Sequence, residues 1–404
     1  MKKKLLGVAA LAALTLGLSA CGADPNASPA GGDAQADSGD EIIVGAALCL
    51  TGIQSPLDEP ILRGVQLKVD EINENGGLLG KQVKLINLDG KSDPVVVGNN
   101  GEQLVSQGAE VVITPADFDF GGPASRAAQS AGIVGISPGA SSPLYGSKTL
   151  GDKQFTLSMW NTTMGAAAAE WAYGEQGYTK AYVVTDQFID YTTSLSDYFI
   201  ESFEHQGGEI LGHDTYTQGD QDFSAQLQRL KSEGADAEVI FVSSYMPDLG
   251  LIIRDIRAAG IDTPILGGDS YDDPELFEVL GAEYGNGVTY ASHAFLSEQA
   301  SELVPAFLDL YKAKHGEAPD TALVANGYDT MTVLAEAIEA AGTTEGAALA
   351  KQMTEMEFPL LTGNLSWSSA DTGHAPQKEA ALMTVAGGEV SFLKWVMPEW
   401  VPEP

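Results

Sequence analysis

The feature that most constrains the fold of this chain is a regular alternation of short apolar runs with amphipathic helical patterns. A first series contains the apolar runs IIVGAALCL, KQVKLINL, AEVVIT and IVGIS, and a second contains KAYVVTD, EILGHDTY, AEVIFVSS and TPILGG. Helical stretches of about 10–15 residues separate the runs, which is typical of parallel sheets covered on both faces. Two such series predict an α/β fold with two doubly wound lobes, because a single core stops growing beyond about 250–300 residues.

Polar and aromatic loops follow the predicted strands. They are CLTGIQSPLDEP, TPADFDFGGP, SPGASSPLYG, TDQFIDYTTS, SSYMPDLG and GGDSYDDPEL. Ligands of doubly wound sheets bind at the carboxyl ends of the strands, beside helix N-termini. Two lobes whose loops face each other would therefore form a ligand cleft.

The N-terminus predicts export and anchoring. A basic start, Met1 to Lys4, precedes an apolar run that is shorter than the roughly 20 residues needed to span a bilayer. Residues 1–20 have the layout of a secretory signal, and Leu18 to Cys21 is similar to a bacterial lipobox in which Cys21 is lipidated. An ordinary signal with a chance cysteine is the alternative. Residues 21–41 contain no large apolar side chain and predict a flexible tether to an extracytoplasmic, membrane-anchored body.

Charge and cysteine content exclude several classes of partner. The chain has 21 Lys and Arg against 56 Asp and Glu, a formal net charge of −35, which disfavours nucleic acid. Only Cys21 and Cys49 are present, and Cys49 lies in an apolar run. We therefore expect Cys49 to be a small buried residue, without a disulfide or a metal.

Enzyme signatures are incomplete. NGGLLGKQ, starting at Asn75, lacks the first glycine and the final Ser or Thr of a phosphate loop, and GASSP lacks the last glycine of a nucleophile elbow. The five histidines are scattered, which favours neither a metal site nor a catalytic triad. The sequence predicts a protein that is not an enzyme and that needs no cofactor or metal.

Several stretches resemble a known family. They are VGAALCLTG, RGVQLKVDEINENGGLLGKQVKLI, SDP, AGIVGISPGASSP, DFSAQLQRLKSEGADAEVIF and IRDIRAAGIDTPILGGD. Between about Ile42 and Trp367 the chain is similar to type I periplasmic binding proteins of the leucine/isoleucine/valine-binding kind, the solute receptors of ABC importers. The resemblance implies two lobes, 42–159 plus 291–366 and 160–290 plus 367–404, joined by three crossovers and closing on a small ligand.

The resemblance also implies partners. They are an amino acid or a related amide or amine, the subunits of an ABC permease, and the membrane through the lipid anchor; the receptor itself would be a monomer. A receptor that passes its signal to a membrane kinase or chemoreceptor would have the same fold, so this function stays open.

The resemblance assigns ligand-binding roles by position. The turn Gly139, Ala140 and Ser141 aligns with the groups that hold a ligand's carboxylate and ammonium. Four further residues align with binding residues of the second lobe and of the side-chain pocket: Tyr191, Tyr245, Asp269 and Tyr328. Asp269 would pair with an α-ammonium. Each tyrosine could instead be a packing residue, and Asp269 could simply begin a turn.

The DFDF stretch departs from that family. Phe118 stands where leucine-type receptors use a serine hydroxyl to hold the carboxylate, and Leu57 replaces an aromatic that closes their pocket. If the stretch is extended, Phe118 and Phe120 point to one side and Asp117 and Asp119 to the other, so that one pair faces the cleft. The sequence leaves open which pair it is.

Two interpretations of this stretch remain. An aspartate could cap a helix that opens at Pro123 while a phenylalanine fills the core. Alternatively, the stretch recognises an amine or another cation, through carboxylate pairing or a cation–π contact. The second interpretation predicts an amine, an amide, or a neutral or aromatic amino acid as the ligand, and leucine, isoleucine and valine as poor ones.

Overall fold

A computed structural model of the chain describes residues 41–220 and 222–404, in which two separate sheets form the centres of two lobes. The predicted signal at 1–20 and lipidation at Cys21 lie outside the described residues, as does the predicted tether apart from its last residue. Both sheets are mainly parallel and flanked by helices, which confirms the predicted α/β class. The residue bounds of the two lobes given above stay a prediction.

The first sheet is entirely parallel, with the strand order β2-β1-β3-β4-β5. Its strands are β1 (Glu41–Ala46), β2 (Gln82–Asn87), β3 (Val111–Ile113), β4 (Val134–Ser137) and β5 (Gln154–Thr156). The helices that follow these strands, or return to this lobe later, are α1 (Ser55–Glu74), α2 (Pro94–Ser106), α3 (Phe118–Ala131), α4 (Ser147–Leu150), α10 (Val304–His315), α11 (Leu323–Ala341) and α12 (Gly346–Glu355).

The second sheet has the order β15-β14-β10-β9-β8-β6-β7 and becomes antiparallel at one edge. Its strands are β6 (Lys180–Asp186), β7 (Glu209–Tyr216), β8 (Val239–Ser243), β9 (Ile265–Gly267), β10 (Val288–Ser292), β14 (Ala380–Ala386) and β15 (Glu389–Val396). Its helices are α5 (Asn161–Ala169), α6 (Asp190–His205), α7 (Ser224–Ser232), α8 (Asp248–Ala258) and α9 (Pro274–Tyr284).

Three chain segments join the lobes, after β5, after β10 and before β14. A small antiparallel sheet precedes the last of them: β11 (Phe358–Leu360), β12 (Gly363–Trp367) and β13 (Pro376–Gln377). Lys378, which is 1% exposed, lies in the third segment and donates to the carbonyl of Leu157 in the first, at 3.1 Å. Lys378 also donates to the Thr362 hydroxyl at 2.7 Å, and that hydroxyl donates to the carboxylate of buried Asp329, also at 2.7 Å. The first and third crossing segments are thus tied together by one buried cation.

Glycines allow α1 and α11 to approach closely. A Cβ atom at Gly64 would overlap the carbonyl of Val324, and one at Gly327 would overlap the carbonyl of Ile61. The contact fixes the N-terminus of α11 against α1 in the core of the first lobe. Because both helices begin beside the carboxyl ends of the strands, this packing also positions one wall of the candidate site.

Cys49 is fully buried, as predicted, and burial together with the nearby charge of Asp58 raises the pKa of its thiol to about 12. Among the described residues, no helix combines the length and apolar character needed to cross a membrane.

Candidate ligand-binding site

A cavity lies where the carboxyl ends of the parallel strands of both sheets face each other. It is lined from the first lobe by Leu57, Ala116, Asp117, Gly139, Ser141 and Leu323, and on the other side by Tyr191, Tyr245, Asp269, Ser270 and His293. Its volume is about 20 Å³, room for about one water molecule. The lobes are therefore closed on each other, and their own side chains fill most of the cleft.

Asp117 places a buried carboxylate in this cavity. The residue precedes α3 in an extended conformation, but its side chain makes no capping hydrogen bond. Its Oδ2 instead accepts from Gln54 Nε2 at 2.8 Å and from the Tyr245 hydroxyl of the opposite lobe at 2.7 Å. Burial raises the pKa of Asp117 to about 7, and the charges of Asp269 and Asp119 add to this effect. Asp117 is therefore poised to pair with a positive group.

Asp269 supplies a second carboxylate from the loop after β9. Its Oδ2 lies 2.6 Å from Nε2 of His293, a buried residue directly after β10. The Tyr191 hydroxyl accepts from the backbone N–H of Ser270 at 3.2 Å. Burial raises the pKa of Tyr191 well above its usual range, and the charge of Asp269 and a hydrogen bond to it act in the same direction. Asp269 is thus held by partners from two strand ends.

The charge balance of the cavity is acidic. The described residues that line it include two aspartates, one histidine and two tyrosines, but no lysine or arginine. Carboxylates with hydrogen-bonding tyrosines suit ammonium and amide N–H groups, which can donate charge-assisted hydrogen bonds to them. Among the described residues, no three His, Cys, Asp or Glu side chains are grouped in a way that could hold a metal ion.

Asp58 holds together two loops that form the site. This fully buried residue of α1 accepts from the N–H of Cys49 at 2.7 Å and from the N–H of Ala116 at 3.0 Å. Burial raises the pKa of Asp58 to about 7. One side chain therefore joins the loop after β1 to the loop that carries Asp117.

The predicted turn after β4 contributes two of its three residues to the cavity. Gly139 and Ser141 line it, whereas the side chain of Ala140 packs away from it, against Tyr145 and Leu150. The carbonyl of Ser141 accepts from the N–H of Asn161, which begins α5, at 2.6 Å. The Ser141 turn thus also touches the second lobe.

The predicted alternation in the DFDF stretch is wrong, because α3 begins at Phe118 rather than near Pro123. Phe118 packs in the cluster of Ala140 and Tyr145, with Arg126 over its ring at 5.8 Å, and so does not line the cavity. The helical period also directs Asp119 and Phe120 away from it. Asp119 accepts from the N–H of Asp190 at 3.1 Å, while buried Phe120 packs against the second lobe's core. Of the four residues, only Asp117 lines the cavity.

Tyr328 lies outside the cavity, which corrects its assignment to the side-chain pocket. Its hydroxyl donates to Glu71 at 2.5 Å, and its ring packs edge-on against Phe307 at 5.2 Å. Leu323, at the start of the same helix, does line the cavity. Five residues correspond to about 140° beyond one full helical turn, so the side chains of Leu323 and Tyr328 point in different directions.

Further contacts hold the lobes together around the cavity. Asp272 of the second lobe accepts from the N–H of Ala322 at 2.9 Å and from the hydroxyl of Thr321 at 3.1 Å. On the opposite rim, the Ser142 hydroxyl donates to the carboxylate of Asp190. Asp272 is half-buried, and desolvation raises its pKa to about 6.

Several site residues were not predicted from the sequence, namely Gln54, Asp58, Ala116, Ser270, His293 and Leu323. His293 could have been predicted, because it directly follows VTYAS, a run with the composition of a strand. Ligands of parallel sheets bind at this carboxyl end of the strands. Asp58 could not have been predicted as a site residue, since an acidic residue in the first turn of a helix is ordinary.

Comparison with known proteins agrees with this architecture. Residues 41–389 match a family described as periplasmic binding protein. The Leu/Ile/Val-binding protein BraC3 of Rhizobium johnstonii is 26% identical over 352 residues, which cover 87% of this chain and 93% of the relative. The substrate-binding protein LivJ of a Streptococcus pneumoniae branched-chain amino acid transporter, solved with isoleucine, has a TM-score of 0.80 and 29% identity, covering 89% of this chain and all of that one. A leucine-binding protein LivK of Thermotoga maritima has a TM-score of 0.79 and 27% identity, with 89% and 99% coverage.

Proposed function

Because the chain belongs to the periplasmic binding protein family, we propose that it is the solute receptor of an ABC importer and captures a small amine, amide or amino acid. Proteins of this family bind solutes outside the cytoplasm and are not enzymes. In this proposal Cys21 carries the lipid anchor, and the closed receptor delivers its ligand to a membrane permease. An anchored receptor would remain beside the permease that it serves.

The observation that supports this ligand class most directly is the pair Asp117 and Asp269 in one cavity without lysine or arginine. The relatives named above bind leucine, isoleucine or valine, whose α-carboxylate needs donors. In this chain Asp117 lines the same cavity as Gly139 and Ser141, the groups that the resemblance assigns to the ligand's carboxylate. A second carboxylate there would be repelled, so we propose an amine or amide as the preferred ligand over an aliphatic amino acid.

Capture would exchange contacts within the site for contacts with the ligand. The cavity holds about 20 Å³, so the lobes must separate before a ligand enters. A ligand N–H group would then replace the Tyr245 hydroxyl or the Gln54 amide at Asp117, while Tyr191 and Asp269 close from the second lobe. Pairing of the carboxylate with an ammonium joins two opposite charges and is stronger than the hydrogen bonds from uncharged donors that it replaces, which makes binding favour closure.

Thermal unfolding with a panel of short amides, primary amines, leucine and glutamate tests the proposal. A ligand that binds the folded state raises Tm by an amount that grows with its concentration relative to its Kd, and small-angle scattering reports the radius of gyration of the same samples. We expect amines or amides to raise Tm, and leucine and glutamate to have little effect. Tight leucine binding would reject the ligand class while keeping the receptor, whereas no response to any member would reject the receptor for this type of solute.

A further inference from the structure

A second cavity, of about 270 Å³, lies next to the ligand cleft and has walls from both lobes. One wall comes from 272–274, Phe277 and Tyr290 of the second lobe, and another from 319–322, which leads into α11. The segment 294–296, which returns the chain to the first lobe, forms a third. Thr321 and Ala322 line this cavity, whereas Leu323, the next residue, lines the cleft.

Tyr290 directs an unused polar group at this cavity. The residue is only 2% exposed and lines the cavity, and its hydroxyl makes no hydrogen bond to any of the described residues. Its ring stacks on that of Phe277 at a centroid distance of 6.1 Å. A hydroxyl that lines a cavity and has no protein partner is free to donate a hydrogen bond to a ligand there, or to accept one.

Asp273 gives the cavity a carboxylate without a basic partner. It accepts a hydrogen bond from the N–H of Glu275 at 2.8 Å, and no lysine, arginine or histidine of the described residues forms an ion pair with it. The neighbouring carboxylates are already engaged, since Asp320 pairs with Arg63 at 3.2 Å and Asp272 accepts from the first lobe. None of the described residues that line the cavity is basic.

We propose that this cavity is a second ligand site, distinct from the cleft, for a small organic ammonium compound with an aromatic or aliphatic body. The ammonium group would pair with Asp273 by charge-assisted hydrogen bonds, and the Tyr290 hydroxyl would supply a further contact. The rings of Phe277 and Phe295 would cover the apolar body and attract the cation to their faces. A mainly apolar wall with a few convergent polar groups is the usual composition of small-molecule sites.

Benzylamine, which is protonated at neutral pH, is a suitable probe, and benzyl alcohol is its uncharged counterpart. Calorimetric titrations use the full-length protein carrying Asp117→Asn, in which binding in the cleft is weakened. A separate titration of the wild type measures what that change does to binding in the cleft. Tyr290→Phe removes only the hydroxyl, and Asp273→Asn removes the charge while keeping a helix-capping side chain. Asp222→Asn is the matched control, because Asp222 also accepts an N–H two residues on, at 2.9 Å, and does not line this cavity.

We expect benzylamine to bind the Asp117→Asn protein, with affinity at least fivefold weaker after Tyr290→Phe or Asp273→Asn and unchanged after Asp222→Asn. Benzyl alcohol should bind at least tenfold more weakly than benzylamine. Absence of binding to the Asp117→Asn protein, or affinity that neither cavity variant alters, would overturn the second site. Equal affinity for benzyl alcohol would overturn the ammonium class. A loss of affinity that is caused by Asp117→Asn alone concerns the cleft. The second site and the proposed receptor function can therefore be rejected independently.

Discussion

The carboxylate of Asp117 and the hydroxyl of Tyr245 form a 2.7 Å hydrogen bond that joins the two lobes inside the cleft. Both residues follow strands, β3 and β8, at the edges where the two sheets face each other. In the proposed receptor, an N–H group of the ligand would bind Asp117 in place of this hydroxyl. The ligand and the Tyr245 hydroxyl would therefore compete for the same carboxylate, which makes Asp117 the residue with the sharpest expected phenotype.

Asp117→Asn should weaken binding of an amine by about 1.5–3 kcal/mol, the scale of a hydrogen bond to a charged group. The same change should improve binding of leucine, because it removes a negative charge beside the ligand's carboxylate. Calorimetry with both ligands measures the two effects.

Asp93→Asn provides the control for this variant. Asp93 precedes α2 as Asp117 precedes α3, but its carboxylate caps its helix and does not line the cleft. Equal losses in the two variants would show that Asp117 acts through the stability of its lobe.

Asp272→Ala should favour the open receptor, because it removes the acceptor for Thr321 and Ala322 across the lobes. Small-angle scattering without ligand should give a larger radius of gyration, and ligand affinity should fall about tenfold through the lower population of the closed form. Asp371→Ala, at an exposed position, should change neither quantity. An unchanged radius of gyration together with unchanged affinity would mean that these bonds do not govern closure.

Asp58 should make the protein less stable as the pH rises from about 4 to about 7. Burial raises its pKa from 3.8 to about 7, so the folded state binds the proton more tightly than the unfolded state does. That stabilisation is complete below the unfolded pKa and is lost as the pH passes the folded pKa. At about 1.4 kcal/mol per pKa unit, the upper limit is roughly 4 kcal/mol.

Urea unfolding at several pH values tests this expectation. Asp58→Asn should lower stability overall, through the loss of one acceptor for Cys49 or Ala116, and should flatten the fall between about pH 4 and 7. An identical pH profile in wild type and variant would exclude Asp58 as its source.

Lys378→Met should destabilise the protein by about 3 kcal/mol, since it leaves the buried carboxylate of Asp329 without its cation. Desolvation lowers the pKa of Lys378 to about 8, opposed by the charge of Asp329. The double variant with Asp329→Asn should recover part of the loss in urea unfolding. Lys351→Met, at an exposed lysine, should have little effect. Additive losses in the double variant would show that the two residues are not coupled.

The positions of the strands and loops were predictable from the sequence, because the alternation of apolar runs and helical patterns is typical of parallel sheets with helices between their strands. Both sheets have the predicted strands, and Asp117, Ser141, Tyr191, Tyr245 and Asp269 all line one cavity because parallel strands end at one edge. Their roles in binding remain predictions.

Side-chain direction was less predictable, because it depends on the residue at which a helix begins. An earlier start of α3 turns Phe118 away from the cleft, and the position of Tyr328 five residues after Leu323 in α11 turns it toward Glu71. His293 meets Asp269 only because β10 lies next to β9 in the sheet, a pairing between distant segments that local patterns do not specify.

The burial of Cys49 makes this protein convenient to convert into an optical sensor. Its thiol is inaccessible and, with a pKa of about 12, remains protonated and unreactive toward maleimides near neutral pH. Cys21 is the other cysteine of the sequence and lies ahead of the folded body. A protein begun after Cys21 could therefore keep its native Cys49 and receive one new cysteine at Phe188, which is 38% exposed in the loop between β6 and α6. A dye attached there would label a single site and report opening and closing of the cleft.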